Sequence, residues 1–319
     1  MTDPATSTVI TKQSHHSKKN GLGDGLRLFL MILPFLVLVV IFSYFPLYGW
    51  IYAFFDYRPP LQLSQSPYVG FKWFTTLFSN VTQLSQLSQV MVNTFAMSSI
   101  GILTSFLPML FAVLLNEIKV NRFKKSVQTL TTIPNFISWV LVYSIAFALF
   151  SDSGFINTLL QQLHLTDKAV PFLTSDRHVY LTMWLWSTWK GLGWNAIMYL
   201  AAIAGIDQEL YEAARVDGAG RFRLMRHVTI PQLMPTYIVL LMLSIANFIN
   251  NGMEQYFMFQ NSFNKQYIQV LDLYVYNIGI TGGSIPLATA VGMMKSVVSV
   301  SLLMLVNFIS KKTRGQTII

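Results

Sequence analysis

Two lysines inside strongly apolar segments, Lys190 and Lys295, have the clearest potential for chemistry. A charged side chain in a membrane-spanning helix costs about 2.5–3.5 kcal/mol on insertion scales and normally faces a cavity or a partner. On a helix that advances about 100° per residue, Trp186, Trp189, Lys190 and Trp194 lie within an arc of about 140°. Such tryptophans can stack on a sugar ring, and the lysine would suit a hydroxyl or a carboxylate. The alternative is that the tryptophans pack against other helices, while Lys190 snorkels or pairs with another subunit.

A second polar group lies further along the chain. Asn247, Asn250, Asn251 and Glu254 recur at helical spacing at the end of an apolar segment. On a continuous helix they predict a polar stripe in the outer half of the membrane. Such amides hydrogen-bond sugar hydroxyls, or they hold one helix against another. We therefore assign a candidate substrate path to the Trp and Lys set, this stripe and Lys295.

The sequence lacks the residue patterns that covalent catalysis, metal binding and nucleotide binding require. The chain has no cysteine, which excludes disulfides and thiol catalysis. No two of the five histidines have ligand spacing with an acidic neighbour, so no metal site is predicted. No Ser-His-Asp set has a supporting context, and no phosphate-binding Gly-rich loop ending in Lys-Ser or Lys-Thr occurs. We predict no catalytic residue and no cofactor in this chain.

The elements that position these residues are predicted to be membrane helices. Of the 319 residues, 53% are hydrophobic and only 11% are charged, whereas soluble domains carry about 25% charged residues. Long charge-free stretches exceed the about 20 residues that a spanning helix needs. The fold class is therefore all-α and integral to the membrane. We predict six spans, with Pro108 and Pro134 tolerated inside the second and third; they cover residues 28–54, 92–115, 127–150, 179–204, 234–253 and 286–309.

The distribution of cations predicts the orientation. Most Lys and Arg residues fall on the side that holds both termini, so the positive-inside rule places both termini in the cytoplasm. The net charge of +9 is thereby explained by topology, and nucleic acid is not expected as a partner. Residues 1–26 are predicted to be a flexible basic tail and residues 313–319 a second cytoplasmic tail. Residues 56–91, 151–177 and 254–285 are predicted to be outer loops that become ordered against a partner.

A charged segment interrupts the apolar chain between the fourth and fifth spans. "DQELYEAARVD", residues 207–217, reads as a short helix with acids in its first turns and Arg215 near its end, complementing the helix dipole. Gly218 and Gly220 are predicted to end it. "RFRLMRHVTI", residues 221–230, reads as a second short amphipathic helix, and Pro231 and Pro235 then bracket the fifth span. The segment is either an interfacial loop or a docking site for a cytoplasmic partner.

The same segment resembles the EAA loop of permease subunits in binding-protein-dependent ABC importers. That motif is Glu-Ala-Ala, three residues, Gly, nine residues, a branched aliphatic, one residue and aliphatic-Pro. It matches here at Glu212, Ala213, Ala214, Gly218, Val228, Ile230 and Pro231, with Asp217 completing the common Asp-Gly-Ala extension. Segments such as "WKGLGWNAIMYLAAIAGID" and "LDLYVYNIG" resemble the oligosaccharide and polysaccharide-import subgroup, including alginate-type importers. The likeness covers residues 28–312.

The resemblance implies a type I ABC importer permease, with a membrane domain at residues 27–312 and a coupling loop at 205–235. Glu212 would contact a basic group of a cytoplasmic ATPase, and Gly218 would form the tight turn. The expected partners are a second homologous permease, an ATPase dimer that holds ATP and Mg, a solute-binding protein, an oligosaccharide and the lipid bilayer. The rival is a stand-alone secondary transporter or channel, which would need intramembrane acids; the six predicted spans contain no Asp or Glu.

Overall fold

The computed structural model describes residues 21–314, and over this range all regular secondary structure is helical apart from a single isolated bridge between Phe55 and Tyr68. The all-α prediction is confirmed over that range. Residues 1–20 of the predicted N-terminal tail and residues 315–319 of the C-terminal tail lie outside the described residues. Residues 21–26, the end of the predicted N-terminal tail, are helical and belong to the first helix.

The chain divides into two compact units, Met1–Trp50 and Ile51–Ile319. In the first unit, α1 covers Gly21–Val39 and continues as a π turn at Val40–Tyr44. The 3₁₀ segment Phe45–Phe54 follows, and its last four residues belong to the second unit. The stretch Gly25–Phe54 is apolar enough to cross a membrane, and its most apolar window has no buried residue. In water such a surface would be very costly, so this stretch matches a helix surrounded by hydrocarbon or by other subunits.

The second unit contains fourteen α-helices among the described residues. They are α2 (Lys72–Ser79), α3 (Val81–Leu103), α4 (Leu107–Asn116), α5 (Asn121–Thr132), α6 (Trp139–Phe150), α7 (Phe155–Gln162), α8 (Val179–Ala204), α9 (Gln208–Val216), α10 (Arg221–Leu224), α11 (Ile230–Ala246), α12 (Glu254–Phe259), α13 (Lys265–Ile268), α14 (Leu271–Tyr276) and α15 (Ile285–Arg314). Short 3₁₀ segments cover Leu63–Gln65 and Ile133–Phe136, and π turns cover Met225–Thr229 and Asn277–Thr281.

Five helical stretches of the described chain are long and apolar enough to span a membrane: Gly25–Phe54, Val81–Asn116, Trp139–Gln162, Arg221–Ala246 and Ile285–Lys312. The fourth predicted span, 179–204, is the continuous 26-residue helix α8, but it is not among the five. Its length is sufficient, and we attribute the difference to its tryptophans, glycines, Asn195 and Lys190, which make it less apolar. A helix of this kind crosses a membrane inside a bundle, where neighbouring helices cover its polar side.

Two predicted spans differ from the structure at their prolines. The second span begins at Val81, inside the predicted outer loop 56–91, and its helix breaks between Leu103 and Leu107, just before Pro108. The third predicted span, 127–150, was wrong as a single helix, because α5 ends at Thr132 and α6 begins at Trp139. Proline has no N–H and its ring clashes with the preceding turn, so the helix yields at both places.

The second unit is held together by three apolar clusters. One joins α6 and α8 to the short helices α12–α14, around Val142, Met183 and Leu273. A second joins α4, α8 and α11 around Ala112, Ala196 and Leu233. The third packs α2 and α3 against α14 and α15. Helix α8 contributes to the first two clusters, and therefore its two ends are fixed by different sets of neighbours.

Candidate functional site

Helix α9 has a capping group at each end, of which the sequence predicted the glycine at the C-terminus. Asp207 is its N-cap, and the carboxylate accepts a hydrogen bond from the N–H of Glu209 at 3.0 Å. Glu209 lies in the first turn and Arg215 in the last, where each complements the nearer pole of the helix dipole. The prediction of a short helix over 207–217 is confirmed to within its caps.

Gly218 closes the helix in a left-handed conformation, with φ +76°. The N–H of Ala219 donates to the carbonyl of Ala214 at 2.9 Å, and the N–H of Gly218 donates to Arg215 at 3.0 Å. The first bond, reaching back five residues past a left-handed glycine, is characteristic of a Schellman closure. A side chain at Gly218 would meet nothing within 4 Å, so backbone conformation alone accounts for the glycine.

Helix α9, the turn at Gly218 and the start of α10 form an elbow, residues 207–222, and one face of this elbow is open to solvent. Glu212, Ala213 and Asp217 are exposed, and Ala214 is half-buried. Two large apolar side chains are even more exposed: Val216 at 88% and Phe222 at 78%. Exposed apolar side chains beside carboxylates are typical of a surface that a partner covers.

The other face is attached to the membrane helices. The Tyr211 hydroxyl lies 3.0 Å from the hydroxyl of Thr229, and Thr229 is only 1% exposed. The ring of Tyr211 packs against the cluster built around Ala112, Ala196 and Leu233. This link was missed by sequence reasoning, since a tyrosine inside the motif and a threonine eighteen residues later carry no shared local signal.

The second half of the segment differs from its prediction. Residues 221–230 do not form a separate short helix, because α10 passes through the π turn Met225–Thr229 directly into α11. In the π turn the N–H of Ile230 donates to the carbonyl of Met225, which shifts the hydrogen-bond register by one residue. Pro231 follows near the start of α11, and Pro235 lies within it. The prolines therefore sit inside the helix that they were expected to delimit.

Lys190 contacts backbone carbonyls. Its Nζ donates to the carbonyl of Asn135 at 2.7 Å and to that of Pro134 at 3.2 Å, and lies 5.4 Å from the ring centre of Trp139. These carbonyls belong to the break between α5 and α6, where helical partners are missing. The ammonium group thus supplies donors to the broken third span, which neither snorkelling nor pairing with another subunit would do.

The predicted tryptophan face is divided between packing and an open cleft. Trp186 packs edge-to-face against Phe150 and Trp189 in the apolar cluster of α6, α8 and α12. Trp189 is 43% exposed and Trp194 is 46% exposed, with Trp194 edge-to-face on Phe136. Only Trp194 of this set lines the cleft described next.

A cleft of about 490 Å³ opens between α3, α4, α8 and α11. Its walls carry two indoles, hydroxyls and amides, and no charged side chain: Trp184 and Trp194, Thr104, Ser105, Ser187, Thr188, Tyr199 and Ser244, and Asn195 and Asn247. The Nε1 of Trp184 donates to Thr104 at 2.9 Å. Trp184 was not predicted as a site residue because it lies off the arc that contains Lys190.

The helical asparagine stripe was wrong. Helix α11 ends at Ala246, and residues 247–253 run as turns and irregular chain before α12. Asn247 faces the cleft, whereas the Asn251 amide donates to Ser98 at 2.9 Å and Ser98 in turn donates to the carbonyl of Phe248. Asn250 bonds locally to Asn247. Burial raises the pKa of nearby Tyr256 to about 12, so its hydroxyl stays protonated.

Lys295 is also occupied. It forms an ion pair with Asp272 of α14, and the other carboxylate oxygen accepts from the N–H of Gly252 at 2.9 Å. The pair is largely buried, with about a fifth of each side chain exposed. It ties α15 to the irregular chain that follows α11, and it leaves Lys295 without a free ammonium.

The part of the chain that contains the elbow and the cleft matches a known family. Residues 105–315 match the family described as "Binding-protein-dependent transport system inner membrane component". The match covers roughly two thirds of the chain. The chain belongs to this family. It is therefore a membrane permease of the ABC importer type, as the EAA spacing predicted.

Two curated relatives from Bacillus subtilis (strain 168) are similar to this permease over nearly their whole length. Protein LplB is 41% identical over 287 residues, which is 89% of this chain and 88% of the relative. The polygalacturonan/rhamnogalacturonan transport system permease protein YteP is 39% identical over 312 residues, which is 97% of this chain and 95% of the relative.

Solved structures show the same fold. The permease matches a chain of a bacterial ABC transporter involved in the import of the acidic polysaccharide alginate, with a TM-score of 0.81 and 30% identity. The match covers 92% of this permease and 98% of that chain. A second match, with a TM-score of 0.80 and 30% identity, is the alginate transporter in complex with a periplasmic protein that holds an alginate pentasaccharide. The predicted type I permease fold is confirmed.

Proposed function

We propose that this permease is the membrane subunit of an ATP-driven importer that carries acidic oligosaccharides from a solute-binding protein into the cytoplasm. It lies in the bacterial inner membrane with both termini in the cytoplasm and pairs with a second, homologous permease. The observation that carries the proposal is the elbow around α9: a capped helix with an open acidic and apolar face, fastened to the membrane helices from behind.

The elbow has the form that a mechanical coupling element requires. Glu212, Val216 and Phe222 are presented outward, where a groove of an ATPase dimer receives them. Tyr211 fastens the helix to Thr229, and the chain from Arg221 to Ala246 is one continuous helical stretch. Motion of α9 therefore reaches α11 through a direct connection. ATP and Mg are held by the partner ATPase, and this chain contributes the exposed face of the elbow, which moves with the ATPase.

The substrate class is supported by the cleft and by the relatives. Indoles stack on sugar rings, and the hydroxyls and amides around them bind sugar hydroxyls. The relative YteP is named for polygalacturonan and rhamnogalacturonan, and the structural neighbour is involved in the import of alginate. All three polysaccharides contain uronic acids. Since no charged side chain lines the cleft, this permease reads rings and hydroxyls, and the carboxylates are recognised by the second permease or the binding protein.

The test compares two acids on the same helix. Both Glu209 and Glu212 are exposed, but only Glu212 belongs to the Glu-Ala-Ala motif. Glu212→Gln is expected to lower copurification of the ATPase and oligosaccharide-stimulated ATP hydrolysis in proteoliposomes at least tenfold. Glu209→Gln is expected to retain most of both.

Equal behaviour of the two variants would contradict the proposed contact. Uptake that continues without ATP, or without a copurifying ATPase, would favour a stand-alone transporter. Uptake of neutral oligosaccharides in preference to uronate oligosaccharides would remove the substrate class and leave the coupling intact.

A further inference from the structure

A second cavity, of about 660 Å³, lies behind the elbow. It is lined by the connection between α4 and α5, residues of α5, the end of α8, and residues of α9 and α10, and it is open on one side. Leu200, Ile203 and Leu224 form an apolar wall. Gln208, Tyr211 and Arg215 of α9, spaced three and four residues apart, line it from the elbow side.

The charge around this cavity is strongly unbalanced. Lys119, Lys124, Arg215 and Arg221 line it, against a single carboxylate, Glu117. Lys124 donates to the side chain of Asn116 at 2.9 Å. Among residues 21–314, none of these five charged side chains takes part in an ion pair.

Four cations elsewhere in the described chain have partners of their own. Arg58 and Lys72 pair with Asp56, Lys295 pairs with Asp272, and Lys190 is held by backbone carbonyls. The positive-inside rule accounts for basic residues on the cytoplasmic side, but it does not require them to converge on one cavity from three elements. Converging cations repel each other, and an anion between them removes that repulsion.

We propose that this cavity binds a phosphate-bearing anion, supplied either by a soluble phosphate compound or by a lipid headgroup. A phosphate presents several acceptor oxygens and more than one negative charge, which suits two guanidinium groups and two ammonium groups better than a single carboxylate does. The volume leaves room for an organic group on the phosphate, and the apolar wall can pack against it.

Occupancy has a mechanical consequence. Arg215 belongs to α9 and Arg221 to α10. Lys119 lies in the connection before α5, and Lys124 lies in the first turn of α5. A bound phosphate bridges these elements and stiffens the elbow relative to α5 and α8. The site thereby adjusts how closely the membrane helices follow the elbow, independently of the transported sugar.

The experiment uses the assembled transporter in phosphatidylcholine nanodiscs. Binding of ³²P-labelled inorganic phosphate is measured by equilibrium dialysis. In a second arm, nanodiscs containing phosphatidylglycerol are examined by native mass spectrometry for lipid retained on the permease. Saturable phosphate binding identifies a soluble ligand, and retained phosphatidylglycerol that phosphate does not displace identifies a lipid headgroup. Either result supports the proposal.

Matched double variants test the location. Arg215→Gln with Arg221→Gln removes two cations that line the cavity and is expected to weaken binding at least tenfold. Arg223→Gln with Arg226→Gln removes two exposed cations of the same segment that do not line it, and is expected to weaken binding less than threefold. If the first pair fails to assemble, Lys119→Gln, at an exposed lining position, takes its place.

Two results would overturn the proposal: no saturable binding of either probe to the native complex, or equal losses in the two double variants. Neither measurement involves sugar or ATP hydrolysis. A complex that transports normally but binds neither probe would therefore reject this site alone and leave the proposed function standing.

Discussion

Two glycines mark regions of this permease that are built in opposite ways. Gly193 lies where α8 crosses the end of α5, and a Cβ there would come within 2.8 Å of Thr131 Oγ1 and closer still to its carbonyl. Gly218 lies in the elbow, where a Cβ would meet nothing within 4 Å but the backbone has φ +76°. The crossing needs glycine for proximity, and the elbow needs it for conformation. A tightly packed crossing resists deformation, whereas an open elbow is available to a partner.

The largest effect is expected at the crossing. Gly193→Ala forces α8 and α5 apart, because the added methyl overlaps backbone that cannot rotate away, and overpacking of this kind costs about 3 kcal/mol. We expect a sharp loss of folded protein, measured by size-exclusion recovery and thermal unfolding in detergent. Gly292→Ala is the control, since that glycine also lies in a helix but has open space around it. Similar losses in both variants would show that the crossing is not especially tight.

The next effect concerns the donor at the same crossing. Lys190→Met leaves the carbonyls of Pro134 and Asn135 without their ammonium partner, which costs about 1–3 kcal/mol. We expect a lower unfolding temperature, with uptake per folded molecule close to that of the native protein. The exposed Lys168, in the connection before α8, provides the control Lys168→Met. A native unfolding temperature combined with selective loss of acidic-sugar uptake would instead assign Lys190 to the substrate.

A smaller change in stability is expected at the elbow. Gly218→Val places a branched side chain in the left-handed region, at a cost of about 1–2 kcal/mol confined to the end of α9. Global unfolding should change little, while oligosaccharide-stimulated ATP hydrolysis should fall severalfold because the elbow is misshapen. Gly220→Val is the matched control, since Gly220 has φ −73° and ψ 170°, which valine adopts readily. Unchanged coupling in Gly218→Val would remove the elbow from the mechanism.

The smallest effect tests the fastening of the elbow. Tyr211→Phe and Thr229→Val each remove one hydroxyl of the hydrogen bond between these side chains, and Thr229→Val also removes a bond of 3.5 Å to the carbonyl of Leu224. A double-mutant cycle separates the two contributions and is expected to give a coupling free energy of about 1 kcal/mol between the hydroxyls. The cycle is measured on unfolding and repeated on sugar-stimulated ATP hydrolysis. Strictly additive effects in both measurements would mean that the two hydroxyls do not act together.

The same contrast explains what the sequence could predict. In the elbow the cap, the helix, the acidic turn and the closing glycine lie within twelve residues, Asp207 to Gly218, and each acts through its own neighbours. Local chemistry was therefore sufficient to predict α9 and its ends. The exception was the π turn, because the change in register that carries the chain past Pro231 has no distinct residue pattern.

The residues assigned to the candidate substrate path are positioned by contacts with distant parts of the chain, which local sequence patterns do not predict. Lys190 reaches the carbonyl of Pro134, 56 positions earlier, and Asn251 reaches Ser98, 153 positions earlier. Helical periodicity predicted a lysine face and a stripe of amides. It could not predict that Lys190 donates to the carbonyls between α5 and α6, or that α11 ends at Ala246. Trp184 and Thr104 both line the cleft and are hydrogen-bonded to each other, a contact across 80 positions that residue spacing does not predict.

The π turn between α10 and α11 has a geometric consequence. Because the helix does not stop there, the stretch from Arg221 to Ala246 is a lever of 26 residues, about 39 Å long at 1.5 Å per residue. If it pivots by about 5° at Arg221, the end at Ala246 moves by about 3 Å, which is comparable to the length of a hydrogen bond. A small rotation at the elbow is thus amplified at Asn247, on the wall of the cleft between α3, α4, α8 and α11.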